Sequence, residues 1–159
     1  MRLAIVSDTH MPRGRRRLPI DHLRDADLIL HAGDLSTVAV LDELEAIGPP
    51  VVAVSGNVDE PALCERLPEE RLVDADGARI AMVHDAGPSK GRLERMRIRF
   101  PDADAVVFGH SHIPLHEERE GFQIFNPGSP TERRRAPTRS MGLARVEGGR
   151  VEFDLIELP

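Results

Sequence analysis

Five short polar motifs, each directly after a run of apolar residues, constrain this chain more than any other feature. Asp8-Thr9-His10 follows the first apolar run, and Gly109-His110-Ser111-His112 follows a much later one. Between them stand Gly33-Asp34, Gly56-Asn57 and His84-Asp85, which also end segments rich in Val, Ile, Leu or Ala. A fold that ends several strands at one edge can bring such motifs together. The sequence therefore predicts a cluster of seven nitrogen and oxygen donors from Asp8, His10, Asp34, Asn57, His84, His110 and His112.

The first half of the chain has the pattern of a parallel α/β unit. Short, continuous apolar runs predict buried strands at residues 3–6, 28–30 and 51–54. Apolar spacing near 3.6 predicts helices at residues 19–24 and 38–47, the second ended by Gly48-Pro49-Pro50. We therefore expect this half to fold as βαβαβ.

The second half changes to antiparallel pairs. Hairpins are predicted at residues 71–75 with 78–83 around Asp76-Gly77, 115–118 with 122–125, and 141–146 with 151–156 around Gly148-Gly149. A helix at 89–100 and a strand at 105–108 lie between the first two hairpins. With 159 residues, one domain over 1–159 is expected. The whole pattern predicts an α/β fold of two packed sheets flanked by helices.

Composition excludes several classes of protein. The single cysteine, Cys64, cannot form an internal disulfide or a cysteine-based metal cluster, which suits a reducing compartment. No apolar run approaches the roughly 20 residues of a membrane span, so we expect a soluble cytoplasmic protein without membrane contact. The formal charge of -6 and the absence of Trp and Tyr argue against a general nucleic-acid binder, except where nucleic acid is a substrate.

The seven predicted donors match the needs of a hydrolytic centre with two metal ions. Such a centre needs a bridging carboxylate, terminal imidazole and oxygen ligands, and an exchangeable water between the cations. Asp34 is the candidate bridge. Asp8, His10 and His112 would complete one shell, and Asn57, His84 and His110 the other. Mixed N and O ligands favour Mn²⁺, our first expectation, or Fe, Zn, Co or Ni.

The charge of this centre predicts the kind of substrate. Two divalent ions with two carboxylates and one hydroxide leave a net charge of about +1. An anion is therefore attracted to the pocket. A phosphodiester monoanion neutralises the centre, whereas a monoester dianion leaves an excess negative charge unless an arginine helps, so charge favours diesters.

The five motifs, in this order and followed by Asn126-Pro127-Gly128-Ser129, resemble the calcineurin-like metallophosphoesterase superfamily. Within it, the chain is most similar to the small single-domain phosphodiesterase branch of bacteria and archaea. The resemblance covers nearly the whole chain. It implies a four-layer αββα sandwich of two mixed β-sheets and the metal roles given above. It also implies catalytic roles for Asp34, Asn57, His84 and His110.

Two positions depart from the family pattern. Val58 stands where many members carry a histidine that serves the leaving oxygen, and Ala86 ends a motif that is often His-Gly-His in related sequences. The usual proton donor is therefore absent, which predicts slow turnover or a need for a good leaving group. Asp59 is a candidate substitute. Its alternative role is that of a loop residue capping a helix near Pro61.

Other charged side chains near the motifs allow two interpretations each. Arg13 and Arg15 follow the first motif and could clamp a substrate phosphate, or could be solvated loop charges. Residues 133–135 are all arginine and could pair with the acidic surface or with a neighbouring subunit. His31 lies in an apolar run, where a buried histidine that donates to the backbone is favoured over a supporting role at the metal centre.

The sequence thus predicts a metal-dependent phosphoesterase, more specifically a phosphodiesterase, in which a bridging hydroxide attacks phosphorus. A small-molecule phosphoester is the expected partner, and assembly into a homo-oligomer is compatible with the sequence. The alternatives are a phosphomonoesterase with the same mechanism and a non-catalytic, metal-binding scaffold for protein interactions. The retromer subunit that resembles this branch is an example of such a scaffold.

Overall fold

The computed structural model of the chain describes residues 1–10 and 17–159. In chain order, its elements are β1 (Arg2–Val6), α1 (Ile20–Arg24), β2 (Leu28–His31), α2 (Val38–Glu45), β3 (Val51–Ala53), α3 (Pro61–Arg66), β4 (Glu70–Ala75), β5 (Ala78–Val83), α4 (Arg92–Arg99), β6 (Ala105–Val107), β7 (Leu115–Arg119), β8 (Phe122–Asn126), β9 (Arg139–Glu147) and β10 (Arg150–Leu158). The predicted alternation of strands and helices in the first half, and the three hairpins in the second, are confirmed.

The strands form two mixed sheets. The first has the order β10-β9-β1-β2-β3, and the second has the order β4-β5-β6-β8-β7. In the first sheet β1, β2 and β3 are parallel, and β9 joins the edge of β1 in the antiparallel direction. In the second sheet β5, β6 and β8 are parallel, with antiparallel neighbours on both sides. The parallel strands of each sheet therefore end at a common edge.

Three apolar layers hold these elements together. One layer fills the space between the sheets, where Leu3 and Ile5 pack with Ile80 and Met82. Side chains from α1, α2 and α3 cover the outer face of the first sheet, and α4 covers the outer face of the second. The expected αββα sandwich is confirmed. No helix in the described part of the chain is long and apolar enough to span a membrane.

The observed helices differ from the predicted ones at positions where glycine or proline sets the helix start. Helix α4 begins at Arg92 rather than at residue 89, because Gly91 adopts a left-handed conformation with φ of 69°. Helix α3 begins with Pro61 at its first position, where a missing N–H removes no helical hydrogen bond. The six residues of α3 are too few to show an apolar period, so the strand-helix pattern alone does not predict them.

Candidate metal centre

The seven predicted donors meet at the carboxyl edge of the two sheets. Loops after β1, β2 and β3 carry Asp8, His10, Asp34 and Asn57, and loops after β5 and β6 carry His84, His110 and His112. Two groups of potential metal ligands result, and in each the ligand atoms lie within 4.8 Å of one another. The first is Asp8, His10 and His112, and the second is Asp34, His84 and His110. The sequence predicts the same two ligand shells, with Asn57 as a further member of the second.

In the first group, two imidazoles and a carboxylate face one point. Nε2 of His10 lies 3.1 Å from Nε2 of His112. Oδ1 of Asp8 lies 3.4 Å from Nε2 of His112 and 3.8 Å from Nε2 of His10. The side chains of Asp8 and His112 are fully buried. Three donor atoms thus converge without an apolar side chain between them.

In the second group, Asn57 joins the imidazoles. Its Oδ1 lies 2.9 Å from Nε2 of His84 and 3.1 Å from Nδ1 of His110. Oδ2 of Asp34 lies 3.1 Å from Nε2 of His84. His110 is the open side of the group, with 46% of its side chain exposed. A ligand from solvent therefore reaches the centre from this side.

Asp34 stands between the two groups. Its Oδ2 is 3.1 Å from Nε2 of His84 and 3.6 Å from Nε2 of His10. Its Oδ1 accepts a hydrogen bond from the backbone N–H of Val58 at 3.0 Å, which fixes the carboxylate in this orientation. The position is the one required of a carboxylate shared by two cations.

One buried oxygen tests whether a cation fits the first group. Oδ2 of Asp8 accepts hydrogen bonds from Oγ of Ser7 at 2.8 Å and from the backbone N–H of His110 at 3.0 Å. Oδ1 of Asp8 is buried and has no hydrogen-bond partner in the described part of the chain. An unpartnered buried carboxylate oxygen is unfavourable unless a cation satisfies it. Together with imidazole nitrogens at 3.4–3.8 Å, it fits a borderline divalent ion.

Outer hydrogen bonds select the nitrogen that each buried histidine offers. Nδ1 of His84 donates to the carbonyl of Ala32 at 2.7 Å, and Nδ1 of His112 donates to the carbonyl of Glu132 at 2.5 Å. Since the proton of each neutral ring is used in this bond, Nε2 keeps a free lone pair. Both Nε2 atoms face the carboxylates, which is the tautomer that a metal ligand requires.

The backbone at the ligands is unusual. Five of the seven donors have positive φ angles, namely Asp8 at 56°, His10 at 39°, Asp34 at 60°, His110 at 71° and His112 at 61°. Residues other than glycine rarely adopt this region, and such strain concentrates at functional sites where surrounding structure enforces it. The sharp turns bring Asp8 and His10 into the same group and direct His110 and His112 into different groups.

Glycines in three motifs leave room for the ligands. A Cβ atom at Gly56 would overlap the carboxylate of Asp34, and one at Gly109 would overlap the hydroxyl of Ser7. At Gly33 it would lie 2.7 Å from Nδ1 of His84. The Gly-Asp, Gly-Asn and Gly-His pairs are thus explained by close packing of neighbouring ligand loops.

Asp59 connects two ligand loops. Its Oδ1 accepts from the backbone N–H of Ser36 and its Oδ2 from that of Gly56, both at 2.7 Å. Burial raises the pKa of this carboxyl, and both of its oxygens are engaged by backbone N–H groups. Asp59 does not cap α3, because the residue at that N-cap is Glu60. Asp59 therefore holds two ligand loops together, and its role as a proton donor stays a prediction.

His31 is buried beneath the first group, but its hydrogen bonds differ from the expectation. Nδ1 accepts from the backbone N–H of Gly33 at 3.1 Å, so Nε2 carries the proton and donates to Oγ1 of Thr9 at 3.1 Å. Burial lowers its pKa to about 3, against the opposing charge of Asp8. The ring therefore stays neutral and supports the loops that carry Asp8 and Asp34, rather than donating to the backbone.

The carboxylates and imidazoles of the centre shift one another's pKa values. Burial would lower the pKa of His84, but its hydrogen bond to Asp34 and the charges of Asp8 and Asp34 raise it overall. Burial would likewise raise the pKa of Asp34, and the bond from His84 lowers it overall. Burial lowers the pKa of His112. The electrostatics of the centre thus favour positive charge beside Asp34.

The loop after β8 fastens the first ligand loop. Oγ of Ser129 donates to the carbonyl of Asp8 at 2.7 Å, and Oγ1 of Thr131 donates to the carbonyl of Thr9 at 2.5 Å. Nδ2 of Asn126 donates to the carbonyl of Gly109 at 2.9 Å. The sequence motif Asn126-Pro127-Gly128-Ser129 does not by itself predict this role, because hydrogen bonds from hydroxyls to distant carbonyls produce no regular spacing in the sequence.

The predicted phosphate ligands Arg13 and Arg15 lie outside the described residues.

Comparison with known proteins gives independent evidence for the family that the motifs resemble. The profile of the calcineurin-like phosphoesterase superfamily domain matches residues 1–149. A probable metallophosphoesterase of Methanothermobacter thermautotrophicus is 35% identical, over 98% of this chain and 92% of the relative. A phosphodiesterase of Methanocaldococcus jannaschii is 28% identical, over 80% of this chain and 83% of the relative.

Solved structures show the same fold. Vps29 from Entamoeba histolytica, crystallised in complex with Zn²⁺, superimposes with a TM-score of 0.77 at 22% identity, and the match covers 99% of each chain. At this level of identity the likeness concerns the arrangement of strands and helices. It agrees with the two mixed five-stranded sheets described above.

Proposed function

The chain belongs to the calcineurin-like phosphoesterase superfamily, and from that premise we propose that it is a phosphodiesterase dependent on two divalent transition-metal ions. Mn²⁺ is our first candidate, with Fe, Zn, Co or Ni as alternatives of the same ligand preference. The observation that carries the proposal is the position of Asp34, whose Oδ2 faces His10 at 3.6 Å and His84 at 3.1 Å. A shared carboxylate between two complete ligand groups is the requirement of dinuclear hydrolysis.

The residues of the chain define what the bound ions could do. When bound, the two ions would supply Lewis-acid stabilisation of the phosphoryl oxygens and a hydroxide nucleophile, by lowering the pKa of a shared water toward about 7. Asp8, His10 and His112 would hold one ion, while Asn57, His84 and His110 would hold the other, with Asp34 shared. The buried outer hydrogen bonds to Ala32 and Glu132 keep the imidazoles of His84 and His112 in the ligating orientation.

The charge of the centre supports a diester. With both carboxylates ionised, two divalent ions and a hydroxide carry a net charge of about +1, which a diester monoanion balances. A monoester dianion needs further positive charge from the protein. The M. jannaschii relative named a phosphodiesterase supports the same class.

The leaving group receives little help from the position after Asn57. Val58 is 46% exposed, and its aliphatic side chain cannot donate a proton. The neighbouring carboxylate of Asp59 is engaged by two backbone N–H groups. We therefore propose substrates whose leaving oxygen is stable as an anion, or protonation of that oxygen by solvent.

A metal-binding scaffold without activity is the second candidate. Its support is the missing imidazole at Val58 and the fold shared with Vps29. The full set of seven donors, with strained backbone at five of them, favours an enzyme instead.

We expect a cytoplasmic protein because its single cysteine, Cys64, is a free, exposed thiol.

Turnover of model substrates tests the proposal. Protein purified without added ions should gain hydrolysis of bis(p-nitrophenyl) phosphate when Mn²⁺ is supplied, at a higher rate than p-nitrophenyl phosphate. Asp34→Asn should remove the activity, whereas Asp21→Asn, at a fully exposed surface position, should not. Metal binding without turnover of any phosphoester would favour the scaffold, and faster monoester hydrolysis would favour a phosphomonoesterase.

A further inference from the structure

His110 differs from the two buried histidine donors in the nitrogen that it turns toward the centre. Nδ1 of His110 lies 3.1 Å from Oδ1 of Asn57. His84 and His112 instead turn Nε2 inward and use Nδ1 to donate to backbone carbonyls. A neutral ring that binds an ion through Nδ1 carries its proton on Nε2. The acceptor that orients His110 therefore has to lie on its Nε2 side.

Asp85 is a carboxylate on that side. Its Oδ2 lies 3.9 Å from Nε2 of His110, just beyond hydrogen-bond distance. The side chain of Asp85 is 60% exposed and that of His110 is 46% exposed. Because neither side chain is enclosed, a small rotation of the imidazole brings its N–H into contact with the carboxylate.

The other oxygen of Asp85 holds the carboxylate in this direction. Oδ1 accepts a hydrogen bond from the backbone N–H of Gly87 at 2.8 Å. This bond from an aspartate to the second residue after it is typical of a tight turn. Since Oδ1 is engaged in the turn, Oδ2 is the oxygen that faces His110.

Two arginines of α4 fasten the loop that carries this carboxylate. Arg95 donates from Nη2 and Nε to the carbonyl of Ala86, at 2.7 Å and 3.2 Å. Arg92 donates from Nη2 to the carbonyl of Gly87 at 2.9 Å, and its guanidinium lies 4.9 Å from the centre of the Phe108 ring. Phe108 is buried and stands two residues before His110. The loop after β5 is thus tied to the residues that lead into the ligand.

We propose that Asp85 positions His110 as a ligand of the second ion, the one assigned to Asn57, His84 and His110, by accepting the Nε2 proton while Nδ1 binds. The inference rests on the two-ion centre of the proposed function. A carboxylate behind a ligating imidazole fixes the ring and strengthens it as a ligand, and its loss commonly costs about 10–100-fold in metal affinity. Asp85 acts through His110, so it is a positioning residue.

Calorimetric titration of Mn²⁺ into the metal-free protein tests this role without turnover. Wild type should bind two ions per chain. In Asp85→Asn the Kd of one ion should rise about tenfold, and that of the other should change by about twofold or less. The amide has one acceptor oxygen, so it cannot serve both Gly87 and His110.

Two further variants separate positioning from charge and from folding. Asp85→Ser keeps a hydroxyl that can accept from the N–H of Gly87 but is too short for His110, so it should weaken the same ion. Glu69→Gln is the matched control, because Glu69 is exposed and lines the same cavity as Asp85, Asn57 and His84. It should leave both Kd values unchanged, and all three variants should keep the melting temperature of the metal-free wild type. Equal Kd values in Asp85→Asn and wild type, or equal losses in Asp85→Asn and Glu69→Gln, would overturn the proposal.

Electron paramagnetic resonance gives a readout that a purely structural role would not move. At a Mn²⁺ concentration that fills both sites of wild type, its spectrum should be that of a coupled pair of ions, and the spectrum of Asp85→Asn that of single ions. Excess Mn²⁺ should restore both the pair spectrum and kcat in the variant. A kcat that stays low once the pair has formed would give Asp85 a role toward the substrate and overturn the proposal.

The outcomes for wild type separate this proposal from the proposed function. A wild type that binds two Mn²⁺ ions and hydrolyses no phosphoester would overturn the proposed function alone. A wild type that binds no second ion would overturn both.

Discussion

Nε2 of His10 and Nε2 of His112 lie 3.1 Å apart, although 102 residues separate them in the chain. Their rings stack with an interplanar angle of 23°. His112 already uses its Nδ1 proton on the carbonyl of Glu132, so its Nε2 offers only a lone pair. Two imidazole nitrogens at this separation lie beside Oδ1 of Asp8, which has no hydrogen-bond partner within residues 1–10 and 17–159. A common cation would satisfy all three atoms.

Metal should therefore stabilise the fold. Ions that bind only the native state add about 4 kcal/mol at a free concentration about 1,000 times Kd. We expect the melting temperature in Mn²⁺ to exceed that in a chelator, and the increase to shrink in His112→Ala. Calorimetry of both proteins in both buffers measures this, and an equal increase in the variant would contradict the ligand role of His112.

Gly56→Ala should damage the second ligand group. The added Cβ would overlap both the carboxylate and the backbone nitrogen of Asp34. A side chain could turn away from the new atom, but the backbone of Asp34 cannot. We expect loss of stability of about 1–3 kcal/mol and loss of bound metal, measured by urea unfolding and by elemental analysis. Gly48→Ala is the control, because no atom of the described residues lies within 4 Å of a new Cβ at this position. Its strained φ of 130° should reduce stability without changing the metal content.

Asp59→Asn should release one of two ligand loops. An amide offers one acceptor oxygen, so either Ser36 or Gly56 would lose the partner of its backbone N–H. We expect stability to fall by about 1–3 kcal/mol and metal affinity to fall with it. The dependence of kcat on leaving-group pKa separates this role from proton donation. Loss of a positioning residue lowers all rates alike, whereas a variant impaired only with poor leaving groups would support the proton-donor role of Asp59 instead.

The pKa of His31 predicts a pH dependence of stability. The folded protein keeps this ring neutral down to a pKa of about 3, while the unfolded chain takes up the proton near 6.5. Below pH 6.5 the unfolded state therefore binds more protons at this residue than the folded state does. The contribution of His31 to the free energy of unfolding declines as a result, by about 2 kcal/mol at pH 5. Urea unfolding of the metal-free protein measures this effect. The free energy of unfolding of wild type should exceed that of His31→Gln by less at pH 5 than at pH 7. A constant difference would contradict the assignment.

Much of the fold follows from the sequence because its signals are local. Apolar runs mark β1, β2 and β6, and the turn at Asp76-Gly77 places β4 against β5. The donors could be predicted as a set because each follows a strand whose carboxyl end lies at the same edge. Helix α3, with six residues, gives no periodic signal.

The supporting bonds could not be predicted in the same way. Asp59 contacts Ser36 across 23 positions, and Ser129 contacts Asp8 across 121, so neither pair has a fixed spacing that a pattern could reveal. The strained φ of His10 is equally invisible, since it arises from the contacts of its loop rather than from its own propensity. Sequence thus predicted which side chains meet, and structure was needed to explain what holds them.

The central claim is that seven side chains bind two metal ions around Asp34. Anomalous diffraction from crystals grown with excess Mn²⁺ tests it most directly. We predict two peaks, one among Asp8, His10 and His112 and one among Asn57, His84 and His110, with Asp34 contacting both. A single peak, peaks elsewhere, or a centre without anomalous signal at saturating Mn²⁺ would contradict the account.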